Sequence, residues 1–121
     1  MNEIMTQEKS IYLQISEMIK NDILRGIILE EERVPSTNEF AKLFAINPAT
    51  AAKGVNILVE EGILYKKRGI GMFVATGAKE KIMNQRREEF YDNFIKVLLN
   101  EASNLGITKE ELIAMICKEE G

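Results

Sequence analysis

Pro35-Ser36-Thr37-Asn38-Glu39-Phe40-Ala41-Lys42-Leu43-Phe44-Ala45-Ile46-Asn47-Pro48-Ala49-Thr50 decides the fold, because it contains two helix starts separated by a tight turn. Ser36 and Glu39 stand three residues apart, the spacing at which a hydroxyl and a carboxylate each satisfy a free amide of the other. Pro35 blocks helix upstream, so the start is sharp. Phe40, Ala41, Leu43 and Phe44 then offer an apolar face. Pro48 disfavours helical geometry at Asn47, and the chain must turn at Ala45-Ile46-Asn47. Asn47 is a good N-cap and Pro48 suits the first helical position, which predicts a second helix through Val59 or Glu60 to a stop at Gly62. Helix, tight turn and helix make a helix-turn-helix.

Along the second helix, Ala51, Ala52, Val55, Leu58 and Val59 recur at helical spacing, and Asn47, Ala49, Thr50, Lys53 and Asn56 fall mostly on the other side. Between Thr50 and Val59 there is no acidic residue, and small side chains at Ala49 and Ala52 permit close approach. A carboxylate on that face would be repelled by phosphates of a duplex. Downstream, Ile63-Leu64-Tyr65 and Met72-Phe73-Val74 read as paired strands, with Lys66, Lys67 and Arg68 climbing to a tip at Gly69-Ile70-Gly71. Gly69 lets the backbone turn and approach a groove. Three successive cations suit phosphates or the negative minor groove.

In order and spacing, these pieces resemble the GntR family of bacterial transcription regulators over roughly residues 11–74. The resemblance runs through Ile11-Tyr12-Leu13-Gln14-Ile15, Ile23-Leu24-Arg25-Gly26, Arg33-Val34-Pro35-Ser36, Asn47-Pro48-Ala49-Thr50, Glu61-Gly62-Ile63-Leu64 and Arg68-Gly69-Ile70-Gly71-Met72-Phe73-Val74. It implies a winged helix-turn-helix that binds double-stranded DNA. Asn47, Ala49, Thr50 and Lys53 would then reach bases or nearby phosphates, Ser36, Thr37 and Asn38 would hold a phosphate, and Lys66, Lys67, Arg68 and Gly69 would engage the flanking minor groove or backbone. The chain departs from the family pattern at Glu31, where glycine is common, and at Asn38, where an arginine that contacts the operator is common. It also departs at Ala51 and at Gly54, where alanine is common. Glu31 and Gly54 read as local stability costs, the latter about 1 kcal/mol for glycine inside a helix. Asn38 is shorter and uncharged, so operator sequence cannot be borrowed from relatives. Lys53 and the Asn47-Pro48-Ala49-Thr50 turn resemble the YtrA-like branch, in which a short helical tail dimerises and regulation of transporter operons is common.

The rest of the chain is compatible with that branch. From Ala78 an amphipathic pattern carries Ile82, Met83, Phe90, Phe94, Val97, Leu98 and Leu105 at steps of three and four to a C-cap at Gly106. Thr108 and Glu111 form another capping box ahead of Leu112, Ile113, Met115 and Ile116, with Ile107 placed to staple against Leu112. Two helices cannot bury such stripes against each other, so a second chain is expected to cover Ile82, Phe90, Phe94, Val97, Leu98, Leu105, Leu112 and Ile116. The fold class is mainly α with a small β-hairpin. An N-terminal arm is expected at 1–10, a winged helix-turn-helix at 11–76 and a two-helix dimerisation and effector tail at 77–121. The dimer interface or the junction near Gly77 leaves room for a small-molecule effector.

Charge and composition narrow the function further. The net charge of −3 argues against indiscriminate nucleic-acid binding, with Lys42, Lys53, Lys66, Lys67 and Arg68 around the reading surface and Glu119 and Glu120 at the far end. Glu30-Glu31-Glu32 reads as a solvated turn. Histidine is absent, which excludes histidine-dependent acid–base chemistry and histidine-containing metal sites. Gly69-Ile70-Gly71 precedes a strand and so is no dinucleotide fingerprint. No enzyme activity, cofactor or metal is implied. The single cysteine, Cys117, permits no intrachain disulfide and suits a reducing cytoplasm. Neither a signal peptide nor a membrane span is legible, and a cytoplasmic location is expected. The alternative reading is a winged interaction module whose basic hairpin meets an acidic protein.

Overall fold

A computed structural model of the chain describes residues 3–118; Glu119 and Glu120 lie outside the described residues. The chain divides into two compact units, Met1–Asn84 and Gln85–Gly121. The first contains α1 (Glu3–Leu24), β1 (Arg33–Val34), α2 (Thr37–Phe44), α3 (Pro48–Glu60), β2 (Leu64–Lys67) and β3 (Gly71–Val74), and α4 (Ala78–Phe90) starts in it. Helix α1 begins at Glu3, ahead of Ile11, so most of the stretch assigned to an N-terminal arm is helical.

Both helix starts lie where the sequence puts them. At α2 the Glu39 amide donates to Ser36 Oγ at 3.1 Å and the Ser36 amide donates to Glu39 Oε1 at 3.0 Å. At α3 the Ala49 amide donates to Asn47 Oδ1 at 2.8 Å, with Pro48 following in the first turn. Between them, α2 closes with the Ile46 amide reaching back to the Ala41 carbonyl at 3.0 Å while Ala45 occupies the left-handed region at φ +52. That closure normally uses glycine, and the tight turn to Asn47 is what holds alanine there. The apolar face of α2 is narrower than expected. Phe40 and Ala41 are buried, but Leu43 keeps 69% of its surface and Phe44 44%.

The hairpin acquires a third strand. β1 pairs antiparallel with β3 through Arg33↔Phe73 and Val34↔Met72, and β2 pairs with β3 from Leu64↔Val74 to Lys67↔Gly71, giving the order β1-β3-β2. Beneath it lies a core of Ile15, Ile19 and Ile23 from α1, Val34, Phe40, Ala51, Val55, Leu58, Ile63, Leu64 and Val74, completed by Ala78 and Ile82 of α4. Ile82 is fully buried there, so its expected place at a dimer contact is corrected: its side chain is already used by its own unit. At the end of α3, the buried Lys20 ammonium lies 2.9 Å from Glu61 Oε1, and Lys81 Nζ donates to the Glu61 carbonyl at 3.1 Å. Cations at a helix C-terminus oppose its partial negative charge.

Gly54 is no stability cost. A Cβ there would stand 2.7 Å from the Tyr12 carbonyl oxygen and 3.1 Å from Ile15 side-chain atoms, and the buried Ser16 hydroxyl donates to the Gly54 carbonyl at 2.6 Å. The missing side chain lets α1 and α3 approach backbone to backbone.

The second unit holds the end of α4, a π-helical turn at Tyr91–Ile95, α5 (Lys96–Asn104) and α6 (Lys109–Cys117). The sequence pattern predicts continuous α-helix here, and the π turn is a difference. Phe90 before it and Phe94 within it have ring centroids 5.4 Å apart, with their planes tilted by 36°. The helix ends at Gly106 with the Ile107 amide donating to the Ala102 carbonyl at 2.8 Å, and Thr108 and Glu111 form the expected capping box at 3.1 Å in both directions. Ala102 and Leu112 are buried, so Leu112 too is occupied within the chain, whereas Phe90, Phe94, Val97, Leu98, Leu105 and Ile116 keep between 41% and 67% of their surface.

Gly54→Ala should destabilise the chain by about 1–3 kcal/mol through overpacking, although helix propensity alone would give a gain of about 1 kcal/mol. Chemical denaturation of the two proteins fixes the sign. The Glu39 and Glu111 carboxyls are held below their ordinary value of 4.5, chiefly by the Ser36 and Thr108 backbone amides. Their contribution is therefore complete above pH 4.5 and lost as pH falls through the lower folded values. Melting followed by helical circular dichroism should show a midpoint that drops on the acid side, with a smaller drop in Glu39→Gln.

Candidate nucleic-acid interface

Helix α3 presents Asn47, Ala49, Lys53 and Asn56 to solvent, with Thr50 half-buried at its edge and Ala51, Val55 and Leu58 fully inside. The polar face and the packed face thus lie where the periodicity puts them. Two of the polar side chains have less freedom than the sequence suggests. Asn47 Oδ1 is committed to the Ala49 amide, which leaves its side-chain NH2 as the group able to reach outward. The Lys53 ammonium lies 5.9 Å from the centroid of the Tyr12 ring, within cation–π range, so α1 helps to aim it.

At the start of α2, the Ser36 amide and hydroxyl both serve the capping box. The amides of Thr37 and Asn38, first in the helix, have no acceptor within it and point out of its end. A carboxylate so close to a phosphate would oppose binding, but the Arg33 guanidinium stands 3.3 Å from Glu39 Oε1 and offsets it. The same Arg33 side chain runs over Gly71, where an added Cβ would meet its Nε at 2.8 Å. Arg33 thereby joins the start of α2 to the wing. Sequence reasoning missed it, since a strand of two residues carries no readable alternation.

In the wing, Lys66, Lys67, Arg68 and Gly69 are all exposed, and the tip turns with the Ile70 amide donating to the Lys67 carbonyl at 3.0 Å and Gly69 at φ +78. Lys67 Nζ sits 4.9 Å from the centroid of Phe73, whose ring stacks on Tyr65 at 5.9 Å. At the base of the wing Glu30-Glu31-Glu32 form a solvent-exposed turn, as the sequence suggests, in which each carboxylate also has a specific partner. Glu30 Oε2 accepts from the Lys79 amide at 3.3 Å, Glu32 Oε1 from the Leu29 amide at 2.6 Å, and Glu31 from the hydroxyls of Thr76, at 2.6 Å, and Tyr65. The Thr76 and Tyr65 hydroxyls hold the Glu31 carboxyl below the ordinary range, and the bond to Glu31 raises the Tyr65 phenol.

Among the described residues, no cluster of three or more His, Cys, Asp or Glu side chains could hold a metal ion, and no helix is long and apolar enough to cross a membrane. What the arrangement can do is bind. The exposed Asn47, Ala49, Lys53 and Asn56 of α3, which precede Glu60 at its C-terminal end, together with two outward amides and a tri-cationic wing can pair with phosphates and base edges.

Residues 11–74 match the family described as bacterial regulatory proteins, gntR family. The chain is 30% identical over 102 residues to the HTH-type transcriptional repressor YtrA of Bacillus subtilis (strain 168), covering 84% of this chain and 78% of YtrA. Among solved structures it is similar to a GntR family transcriptional regulator from Listeria monocytogenes, with a TM-score of 0.73 and 32% identity over 91% of this chain and 95% of that one. It is also similar to AraR(DBD) in complex with operator ORX1, with a TM-score of 0.51 and 38% identity over 53% of this chain and 77% of that one.

Proposed function

The chain belongs to the GntR family of DNA-binding transcription regulators, and from that premise we propose that it is a repressor that binds a roughly twofold-symmetric operator as a homodimer. One observation carries the reading: from Asn47 to Val59 the side chains that α3 leaves exposed include no carboxylate, the first being Glu60 at its C-terminal end, and the wing of the same domain exposes three consecutive cations. In this reading α3 enters the major groove, with Asn47, Ala49, Thr50 and Lys53 at bases or adjacent phosphates. Thr37 and Asn38 hold a phosphate through their amides, and Ser36 shapes that helix end through its cap. Lys66, Lys67, Arg68 and Gly69 follow the flanking minor groove or backbone. Arg33 joins this set as a cation between the two.

Dimerisation is supported by the second unit, where Phe90, Phe94, Val97, Leu98, Leu105 and Ile116 are large, apolar and exposed on one short stretch of chain. Such a surface is costly to leave in water. A second copy covering it would set two recognition helices about one DNA turn or a multiple of it apart. The cytoplasm is the working compartment, and transport genes are the target class that the YtrA resemblance favours. A small-molecule effector would work by changing the spacing of the two copies.

The test is binding of the purified protein to a labelled duplex carrying its own upstream region, titrated at several salt concentrations against excess non-specific DNA. One footprinted symmetric site with a steep salt slope supports the reading, and binding no tighter than to competitor sinks it. Lys53→Ala should cost about 1–3 kcal/mol and relax preference at one or two base pairs. Lys67→Ala should weaken all sequences alike and reduce the salt slope by about 1. The reverse pattern would mean that the two surfaces are wrongly assigned. Phe94→Glu should give a monomer in sedimentation and lose the symmetric footprint; an unchanged dimer would place the contact elsewhere.

A further inference from the structure

Glu31 occupies the left-handed region at φ +67, which a residue with a side chain adopts only against a steric penalty. Strain of this kind persists where the surroundings over-determine it. Here three segments converge on one residue. The Tyr65 hydroxyl, from β2, donates to Glu31 Oε1, and the Thr76 hydroxyl, just past β3, donates to Oε2 at 2.6 Å. The Glu31 amide donates to the Val74 carbonyl at 2.7 Å, and the Val74 amide donates in return to the Glu32 carbonyl at 3.0 Å. Both strands of the wing are therefore fastened at their base to the turn that precedes β1.

From that point a chain of contacts leads outward. Tyr65 is held by Glu31 and its ring stacks on Phe73, over which the Lys67 ammonium sits. A two-stranded hairpin is marginal without outside support, and the wing projects beyond β1, which reaches only as far along β3 as Met72. We propose that Glu31 is a positioning residue for operator binding: its carboxylate clamps the base of the wing, so that Lys66, Lys67 and Arg68 meet DNA in one prearranged orientation. The ordering of the wing is then completed on folding and not at the DNA, which is how preorganisation raises affinity. This role rests on the operator-binding reading above.

Electrostatics makes the test one of sign. Removing a carboxylate beside a basic surface should by charge alone tighten binding to a polyanion. Removing the clamp should weaken it. Glu31→Gly, which also relieves the left-handed strain, and Tyr65→Phe, which leaves residue 31 untouched, should each bind the footprinted operator about tenfold more weakly than the natural chain. Amide hydrogen exchange across residues 66–71 should quicken in both, in the absence of DNA. Glu31→Gln keeps a carbonyl oxygen to accept from Tyr65 and should recover most of the affinity despite having lost the charge. Unchanged melting of the helical core checks that the variants are folded. Tighter or equal binding by Glu31→Gly, or unchanged exchange in the wing, would overturn the clamp while leaving operator binding intact. A natural chain that shows no preference for any duplex would instead overturn the operator reading, and the positioning role with it.

Discussion

The backbone approach of α1 to α3 at Gly54 is the constraint on which the rest of the winged unit depends. With only a hydrogen where the side chain would be, the Tyr12 carbonyl comes within 2.7 Å of that position and the Ser16 hydroxyl bonds the Gly54 carbonyl. This fixes the rotation of α3 about its own axis. Ala51, Val55 and Leu58 must then face inward, and Asn47, Ala49 and Lys53 must face out. A recognition surface built in this way is only as precise as the packing behind it, and here the packing is between two backbones, which have no rotamers to choose among. Helix propensity is given up at Gly54, and tertiary closeness is gained.

Charge is distributed by the same logic of fixed partners. The chain is net acidic at −3, yet Glu39, Glu31 and Glu30, around the proposed DNA surface, are each engaged. Glu39 caps its own helix and meets Arg33; Glu31 holds Tyr65 and Thr76; Glu30 faces the first turn of α4. A carboxylate tied to hydroxyls and amides projects less negative field toward a phosphate than one free to swing outward. The cations, by contrast, sit on a tip with no β1 beside it, where Lys66, Lys67 and Arg68 remain exposed. Acid in the frame and base at the tip let one small domain discourage non-specific adhesion and still bind locally.

The tail works by a different principle. Its helices satisfy their ends well, through the Thr108–Glu111 box and the closure at Gly106, but they enclose few side chains. The π turn at Tyr91–Ile95 carries Phe94, whose ring lies 5.4 Å from that of Phe90, and both rings stay exposed.

Sequence by itself determined the local features: the capping boxes at Ser36 and Thr108, the turn at Asn47-Pro48, the two faces of α3, the basic wing and the family resemblance. Each depends on residues close together in the chain, where the spacing of side chains and the geometry of proline, glycine and helix ends leave few alternatives. Tertiary structure alone decided the role of Gly54, the closure of the core by Ile82, the third strand through Arg33, and the distant partners that make a clasp of the exposed Glu30-Glu31-Glu32 turn. Those depend on partners far away in sequence, such as Tyr12 for Gly54 and Tyr65 and Thr76 for Glu31. A glycine in a helix or a run of glutamates looks the same in a sequence whether its surroundings are water or another segment, and only the folded chain brings that other segment within hydrogen-bonding reach.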